Sequence, residues 1–166
     1  SAPLVIELKG CRLGVVICED TWVAGPASMA KSAGAELLLV PNASPFRDDK
    51  LKARVSMLQE RQKDCGLPIV YANLVGGQDE LVFDGRSMLM DASGAFSVRT
   101  EPCKEELPLA IYHQESGELG FEDDSDRSGL SAKSIQSESI GLKDNNIVAK
   151  FSSFDDQLAA KSALQR

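Results

Sequence analysis

The sequence predicts an α/β domain whose sheet begins parallel and ends antiparallel, and three observations carry that prediction. Apolar runs at 12–18, 37–40 and 68–72 suit short strands buried on both faces. The segments between them are patterned as helices, and strand, helix, strand with short joins implies parallel neighbours and right-handed crossovers. Beyond Gly76-Gly77 the spacing tightens to strand, turn, strand, the mark of antiparallel pairing.

The first run, R-L-G-V-V-I-C, stops abruptly at Glu19-Asp20. Pro26 then opens a small-residue helix over 27–33, proline being accepted in a first turn, and Gly34 stops it. After the strand at 37–40 the loop 41–46 holds Pro41 and Pro45 and reads as irregular. Asp48 is placed to cap a helix over 49–65, in which Leu51, Val55, Leu58 and Cys65 recur at helical spacing. Lys50, Arg54, Glu60, Arg61 and Lys63 then fall on its wetter surface, and Gly66 ends it. Gly76-Gly77 reads as a loop after the third strand, Asp84-Gly85 as the turn of a hairpin, and Ser93-Gly94 as a turn before a strand at 95–98. Past residue 112 the chain becomes rich in serine and acids. The predicted division is therefore a folded part at 1–112, an acidic, Ser-rich, mobile linker at 113–140, and a C-terminal segment at 141–166 with a strand at 147–151 and a helix at 155–164.

A length of 166 residues suits one domain with an appendage. Eighteen Lys plus Arg against 25 Asp plus Glu give a charge of −7, which argues against a nucleic-acid surface. A hydrophobic fraction of 43% supports a real core, yet no run approaches the roughly 20 apolar residues that cross a bilayer. The start, Ser1-Ala2-Pro3-Leu4, lacks the regions of a signal peptide, so the expectation is a cytoplasmic protein with reduced cysteines and no membrane role.

Cys11, Cys18, Cys65 and Cys103 form no CxxC pair, so no metal site is expected. His113, the only histidine, sits beside the acidic stretch, so a nucleophilic cysteine would need another base. In open α/β sheets, reactive groups gather where strands end at their carboxyl side. Three such ends are available, at 18–22, 42–46 and 73–77. Cys18 leaves a buried strand next to two carboxylates that oppose thiolate formation, which is odd for core filling alone. Read singly, Cys18 is also a small hydrophobe at a strand end, Trp22 a lid over the core, Ser44 a turn residue, and Lys50 and Arg54 an i, i+4 pair on a solvated face.

Taken together, these residues resemble a known family. Ile17-Cys18-Glu19-Asp20-Thr21-Trp22, Gly34-Ala35-Glu36, Asn42-Ala43-Ser44-Pro45-Phe46 with Lys50 and Arg54, and the string from Gly76 to Gly85 (G-G-Q-D-E-L-V-F-D-G) closely resemble the nitrilase-like amidase domain of glutamine-dependent NAD synthetases, members of the carbon-nitrogen hydrolase superfamily. Order and spacing agree over 13–96. The resemblance implies an αββα sandwich, here a partial domain with a mixed sheet. It also implies a Glu/Lys/Cys site in which a thiolate attacks the side-chain amide of glutamine, a glutamate moves protons and a lysine supports the oxyanion.

Cys18 matches the nucleophile. By motif position Glu19 and Trp22 line the glutamine pocket, Ser44 contacts the amino-acid end, Lys50 faces its carboxylate, and Arg54 lies nearby. The amidase step needs no cofactor; ATP and Mg belong to a synthetase domain that uses the released ammonia and is not represented here. Only 17 residues precede Cys18, and Glu7 and Lys9 do not match the family's base and lysine. The chain is therefore expected to be the C-terminal half of the amidase domain, inactive alone, with edges that pair in a homo-oligomer or with another chain. The alternatives are a non-catalytic half-domain acting in assembly and an amidase for another carbon-nitrogen substrate.

Overall fold

The computed structural model describes residues 3–98, 100–121, 140–143 and 146–150. Strands β1 (Leu4–Leu8) and β2 (Cys11–Val15) are followed by a 3-10 turn (Cys18–Trp22), α1 (Ala24–Ser32), β3 (Leu37–Asn42), α2 (Lys50–Cys65) and β4 (Ile69–Asn73). Then come β5 (Val75–Gln78), β6 (Leu81–Asp84), β7 (Met88–Met90), β8 (Phe96–Val98), β9 (Leu109–His113), β10 (Glu118–Phe121), β11 (Ile140–Lys143) and β12 (Asn146–Lys150). The main sheet runs β1-β2-β3-β4-β7-β8, with β2, β3 and β4 parallel and the flanking pairs antiparallel. A second, antiparallel sheet runs β10-β9-β12-β11, and β5 and β6 form a separate ribbon. The mixed sheet of the sequence prediction is present.

Alternation along β3 builds three layers. Leu38 and Val40 join Met57, Leu58, Ile69, Met88 and Met90 in a cluster under the helices. Leu37, one residue away, joins Leu13, Val70 and Leu89 against Ala110, Tyr112 and Leu119 of the second sheet. Burial on both faces is what a continuous Leu-Leu-Leu-Val run requires. The order of layers is helices, sheet, sheet, which are three of the four expected of an αββα sandwich. Close approach of α1 depends on Gly14, where a Cβ would lie 2.9 Å from Leu38 and 3.0 Å from Ala30 and Ala35. The β1 strand is an edge, and its Leu4 and Ile6 are exposed.

Several boundaries differ from the sequence prediction, each for a physical reason. The first parallel strand stops at Val15, where its pairing with β3 ends, so Cys18 lies past the strand in the 3-10 turn. Helix α1 starts at Ala24, which still leaves Pro26 in the first turn, where its missing N–H breaks no intrahelical bond. Pro41 and Asn42 are strand, not loop. Pairing of β3 with β2 ends at Leu39, so Pro41 sits where one side of β3 is open and a missing donor is tolerated. Asp48 does not cap α2; the N-cap is Asp49, whose carboxylate is held by Arg47 at 2.8 Å.

Asp84-Gly85 is not a hairpin turn, since β6 pairs back onto β5 and β7 pairs onto β4. The segment expected to be a linker starts as ordered chain, with Glu118–Phe121 paired to β9. The strand expected at 147–151 matches β12, whereas the helix expected at 155–164 lies outside the described residues.

Cys11 is wholly buried between the two sheets, and desolvation, aided by Glu36, pushes its thiol up to about 11 from the 9 of a free thiol. The folded state therefore holds a proton that the unfolded state releases. Its contribution to stability is complete below pH 9 and is lost as pH rises through about 11. Urea midpoints measured under reducing conditions are expected to fall steadily over that window, and to fall less in Cys11→Ala. Equal slopes in the two proteins would contradict the burial of this thiol.

Candidate active site

The carboxyl ends of β2, β3 and β4 lie side by side, and the groups singled out from the sequence collect around them. Cys18 is half-buried and opens the 3-10 turn with φ +46, a left-handed conformation in which side chains other than Gly, Asn and Asp are uncommon. The Asp20 N–H donates to the Ile17 carbonyl at 3.0 Å and closes the bend. The turn packs on β3, α1 and α2. Glu19 and Asp20 are exposed, Trp22 is half-buried, and the Lys50 ammonium stands 4.4 Å from the centre of its ring. That separation is within reach of a cation–π attraction, so the Lys50 cation is held at the mouth of the turn.

Ser44 is buried, and its loop is tied down from two sides. Its N–H donates to Asn73 Oδ1 at 2.9 Å, and Asn73 Nδ2 donates to the Gly85 carbonyl at 2.8 Å, so one side chain at the end of β4 joins two loops. From α2, Arg54 donates through Nε to Ser44 Oγ (3.2 Å), through Nη2 to the carbonyls of Ser44 (2.7 Å) and Pro45 (3.3 Å), and through Nη1 to Asp84 (2.9 Å). Arg54 and Asp84 are fully buried, at 0% and 3% side-chain exposure, which corrects the solvated face assigned to Arg54. The buried stripe of α2 runs Arg54, Met57, Leu58, Arg61, Cys65. Asp84 also has Arg86 Nε at 3.5 Å. Gly85 follows at φ +65 with Val75 2.5 Å from where a Cβ would stand, so only glycine lets Asp84 enter the core here.

Thr21 Oγ1, Asn42 Oδ1 and the Tyr71 hydroxyl are buried at these strand ends without a hydrogen bond of ordinary geometry among the described residues. A buried polar group left without a partner costs about 1–3 kcal/mol. Tyr71 is wholly buried on β4, and burial pushes its phenol up to about 12. The Arg54 cation and a hydrogen bond with Ser44 act against that rise. The structure thus brings Cys18, Ser44 and Arg54 to the same end of the sheet, brings Lys50 to Trp22, and leaves Glu19 exposed. Tyr71, Asn73 and Asp84 were not singled out by the sequence. Asp84 had one usable signal, a buried arginine's need for a carboxylate, but Asp-Gly reads first as a turn.

Residues 2–114 match the carbon-nitrogen hydrolase family. The chain is 52% identical over 90 residues to a glutamine-dependent NAD(+) synthetase of Xanthomonas campestris pv. campestris, a match covering 54% of this chain and 16% of that protein. With the corresponding protein of Rhodobacter capsulatus it shares 45% over 108 residues, covering 65% and 19%. A solved structure of the Acinetobacter baumannii glutamine-dependent NAD+ synthetase superposes with a TM-score of 0.67 at 34% identity, covering 74% of this chain and 23% of that one. The NitN amidase of Nesterenkonia sp. AN1 superposes at 0.54 with 29% identity, covering 61% and 40%. One structure of the amidase from that organism shows acrylamide added to its active-site cysteine. The chain spans less than a fifth of the length of the curated relatives cited here. With its mixed sheet, its helix, sheet, sheet layering and a family match over most of its length, the chain has the nitrilase-like fold and belongs to the carbon-nitrogen hydrolase family.

Proposed function

We infer that the chain supplies the cysteine-bearing part of the glutamine amidohydrolase domain of a glutamine-dependent NAD synthetase, with Cys18 as nucleophile. The observation that carries this reading is the half-buried cysteine on a left-handed turn at the carboxyl ends of parallel strands, the end of the sheet that also holds Ser44 and its arginine clamp. In this reading the thiolate attacks the side-chain carbonyl carbon of glutamine, the C–N bond breaks, and ammonia leaves with an added proton. Water then cleaves the thioester, releasing glutamate and restoring the thiol.

Ser44 Oγ accepts from Arg54, which fixes the orientation of the serine hydroxyl at the strand ends. Lys50, Trp22 and Glu19 line the opening, and Arg54 acts through Ser44 rather than on the ligand. The proton-transferring glutamate and the oxyanion lysine come from outside these 166 residues, and the ammonia passes to a synthetase domain that uses ATP and Mg. Residues 1–112 carry the amidase part, and the chain beyond leads toward that domain.

A glutamine-derived diazoketone is expected to add once to the chain, at Cys18, as mapped by mass spectrometry, and not to add after Cys18→Ser. Labelling spread over Cys65 or Cys103, or absent from Cys18, would refute the assignment. The same polypeptide is expected to release no ammonia from glutamine above the buffer rate, because acid–base transfer and oxyanion support each contribute factors of about 10² or more. Ordinary turnover would overturn the placing of those groups elsewhere.

A further inference from the structure

Pairing of β3 with β4 ends at Asn42 and Asn73, which are partners in the parallel register. Ser44 lies beyond that last rung, in irregular backbone, yet it is buried. Two side chains take over what the sheet no longer does. Arg54, from α2, holds the carbonyl and the hydroxyl of Ser44, at 2.7 and 3.2 Å. Asn73 holds the other side of the same residue: its Oδ1 accepts the Ser44 N–H at 2.9 Å. The amide cannot turn over, because Nδ2 donates to the Gly85 carbonyl at 2.8 Å and to the Ser44 carbonyl at 3.4 Å. The Asn73 backbone is itself seated, its N–H donating to Ser87 Oγ at 3.0 Å. Only a side chain that accepts at one atom and donates at its neighbour ties these two loops, so neither aspartate nor leucine replaces it.

We propose that Asn73 is a positioning residue for glutamine binding, holding the Ser44 backbone where Ser44 meets the amino-acid end of the substrate. The inference rests on the reading of Ser44 as that contact and adds to it a residue from the end of β4. Arg54 and Asn73 divide the work. Arg54 is fully buried and paired with Asp84, so its loss falls first on the fold; Asn73 is half-buried and uncharged, so its loss falls first on the loop. Without Asn73, Ser44 keeps its carbonyl and hydroxyl bonds to Arg54 and is tethered on one side only. The Cys18 turn is closed by its own bond, from the Asp20 N–H to the Ile17 carbonyl, and does not hang on Asn73. The cost of losing Asn73 is therefore read in ligand affinity and not in the reactivity of the thiol.

Capture of Cys18 by the glutamine-derived diazoketone is timed by mass spectrometry over a range of reagent concentrations. In that reaction sulfur bonds to the diazo-bearing carbon, the thiol proton moves to the same carbon and dinitrogen leaves. Asn73→Ala is expected to raise the half-saturating concentration about tenfold, the loss of one hydrogen bond, with the limiting rate unchanged. Alkylation of Cys18 by iodoacetamide, which has no amino-acid end, is expected to keep the parent rate. Asn73→Asp retains the acceptor but sets an oxygen against the Gly85 carbonyl, and is expected to raise the same half-saturating concentration. A purely structural role would lower the urea midpoint and leave half-saturation in place, or slow both reagents alike; either result refutes the proposal. If Asn73→Ala unfolds, an unmoved Asn73→Asp refutes it instead. Failure of the diazoketone to capture Cys18 in the parent removes the amidase reading, whereas parent capture with unmoved half-saturation in the variants removes only the role of Asn73.

Discussion

Arg54→Ala is expected to destabilise the chain by about 3–5 kcal/mol, read as a lowered urea midpoint at pH 7, because it strands one member of a buried ion pair. Asp84 has 3% side-chain exposure and would keep only Arg86, at 3.5 Å. The loss extends beyond the charge. Ser44 Oγ and the Pro45 carbonyl would lose their Arg54 donor, and the Ser44 carbonyl would keep only the 3.4 Å bond from Asn73 Nδ2, so the loop between β3 and α2 would loosen. Arg54→Lys is expected to recover only part of the stability, since one ammonium cannot reproduce a fork that reaches two residues of a loop and a carboxylate at once. Removing both charges, as Arg54→Met with Asp84→Leu, should be less harmful than either single change. A loss below about 1 kcal/mol for Arg54→Ala would mean that water reaches the pair, as at a surface ion pair.

Leu38→Ala and Leu37→Ala should each cost about 2–5 kcal/mol, the range for emptying a packed leucine site. Both residues are 1% exposed and adjacent in β3, yet they serve different layers. Amide hydrogen exchange separates them. Leu38→Ala is expected to raise exchange first in α1 and α2, and Leu37→Ala first in β9 and β10, because each cavity opens under the elements it supported. The same pattern of exchange in both variants would contradict the helix, sheet, sheet order.

Much of this architecture is legible in the chain itself. The unbroken Leu37-Leu38-Leu39-Val40 run can only be a strand covered twice, and Gly66, at φ +66, ends α2 where the pattern places the stop. Motif spacing also brings Cys18, Ser44 and Arg54 to one end of the sheet. What a helical pattern cannot show is a polar partner thirty positions away. Arg54 reads as solvated until Asp84 is folded beneath it. The turn at Asp84-Gly85 is illegible for the same reason: Asp-Gly suits a hairpin locally, but β4 offers β7 a longer-range partner and the core offers the carboxylate a cation. Tyr71 is hidden differently, because an aromatic residue in a buried strand looks like packing, and its spacing does not show that its hydroxyl ends near Ser44 and Arg54.

Part of the G-G-Q-D-E-L-V-F-D-G string is therefore architectural. Its penultimate residue locks the serine loop through Arg54, and its last is the glycine that permits the lock, while Gln78 to Glu80 stay exposed at the ribbon's tip. Substitutions at the two ends of this motif should act through different properties, folding at one end and surface contacts at the other.

The backbone at position 18 carries an engineering consequence. A glycine would sit there without steric penalty and relax the bend, so a search for thermostable variants would tend to select Cys18→Gly. The sturdier molecule would have discarded its only sulfur at the mouth of the parallel strands, and a screen on melting temperature alone would record that variant as an improvement.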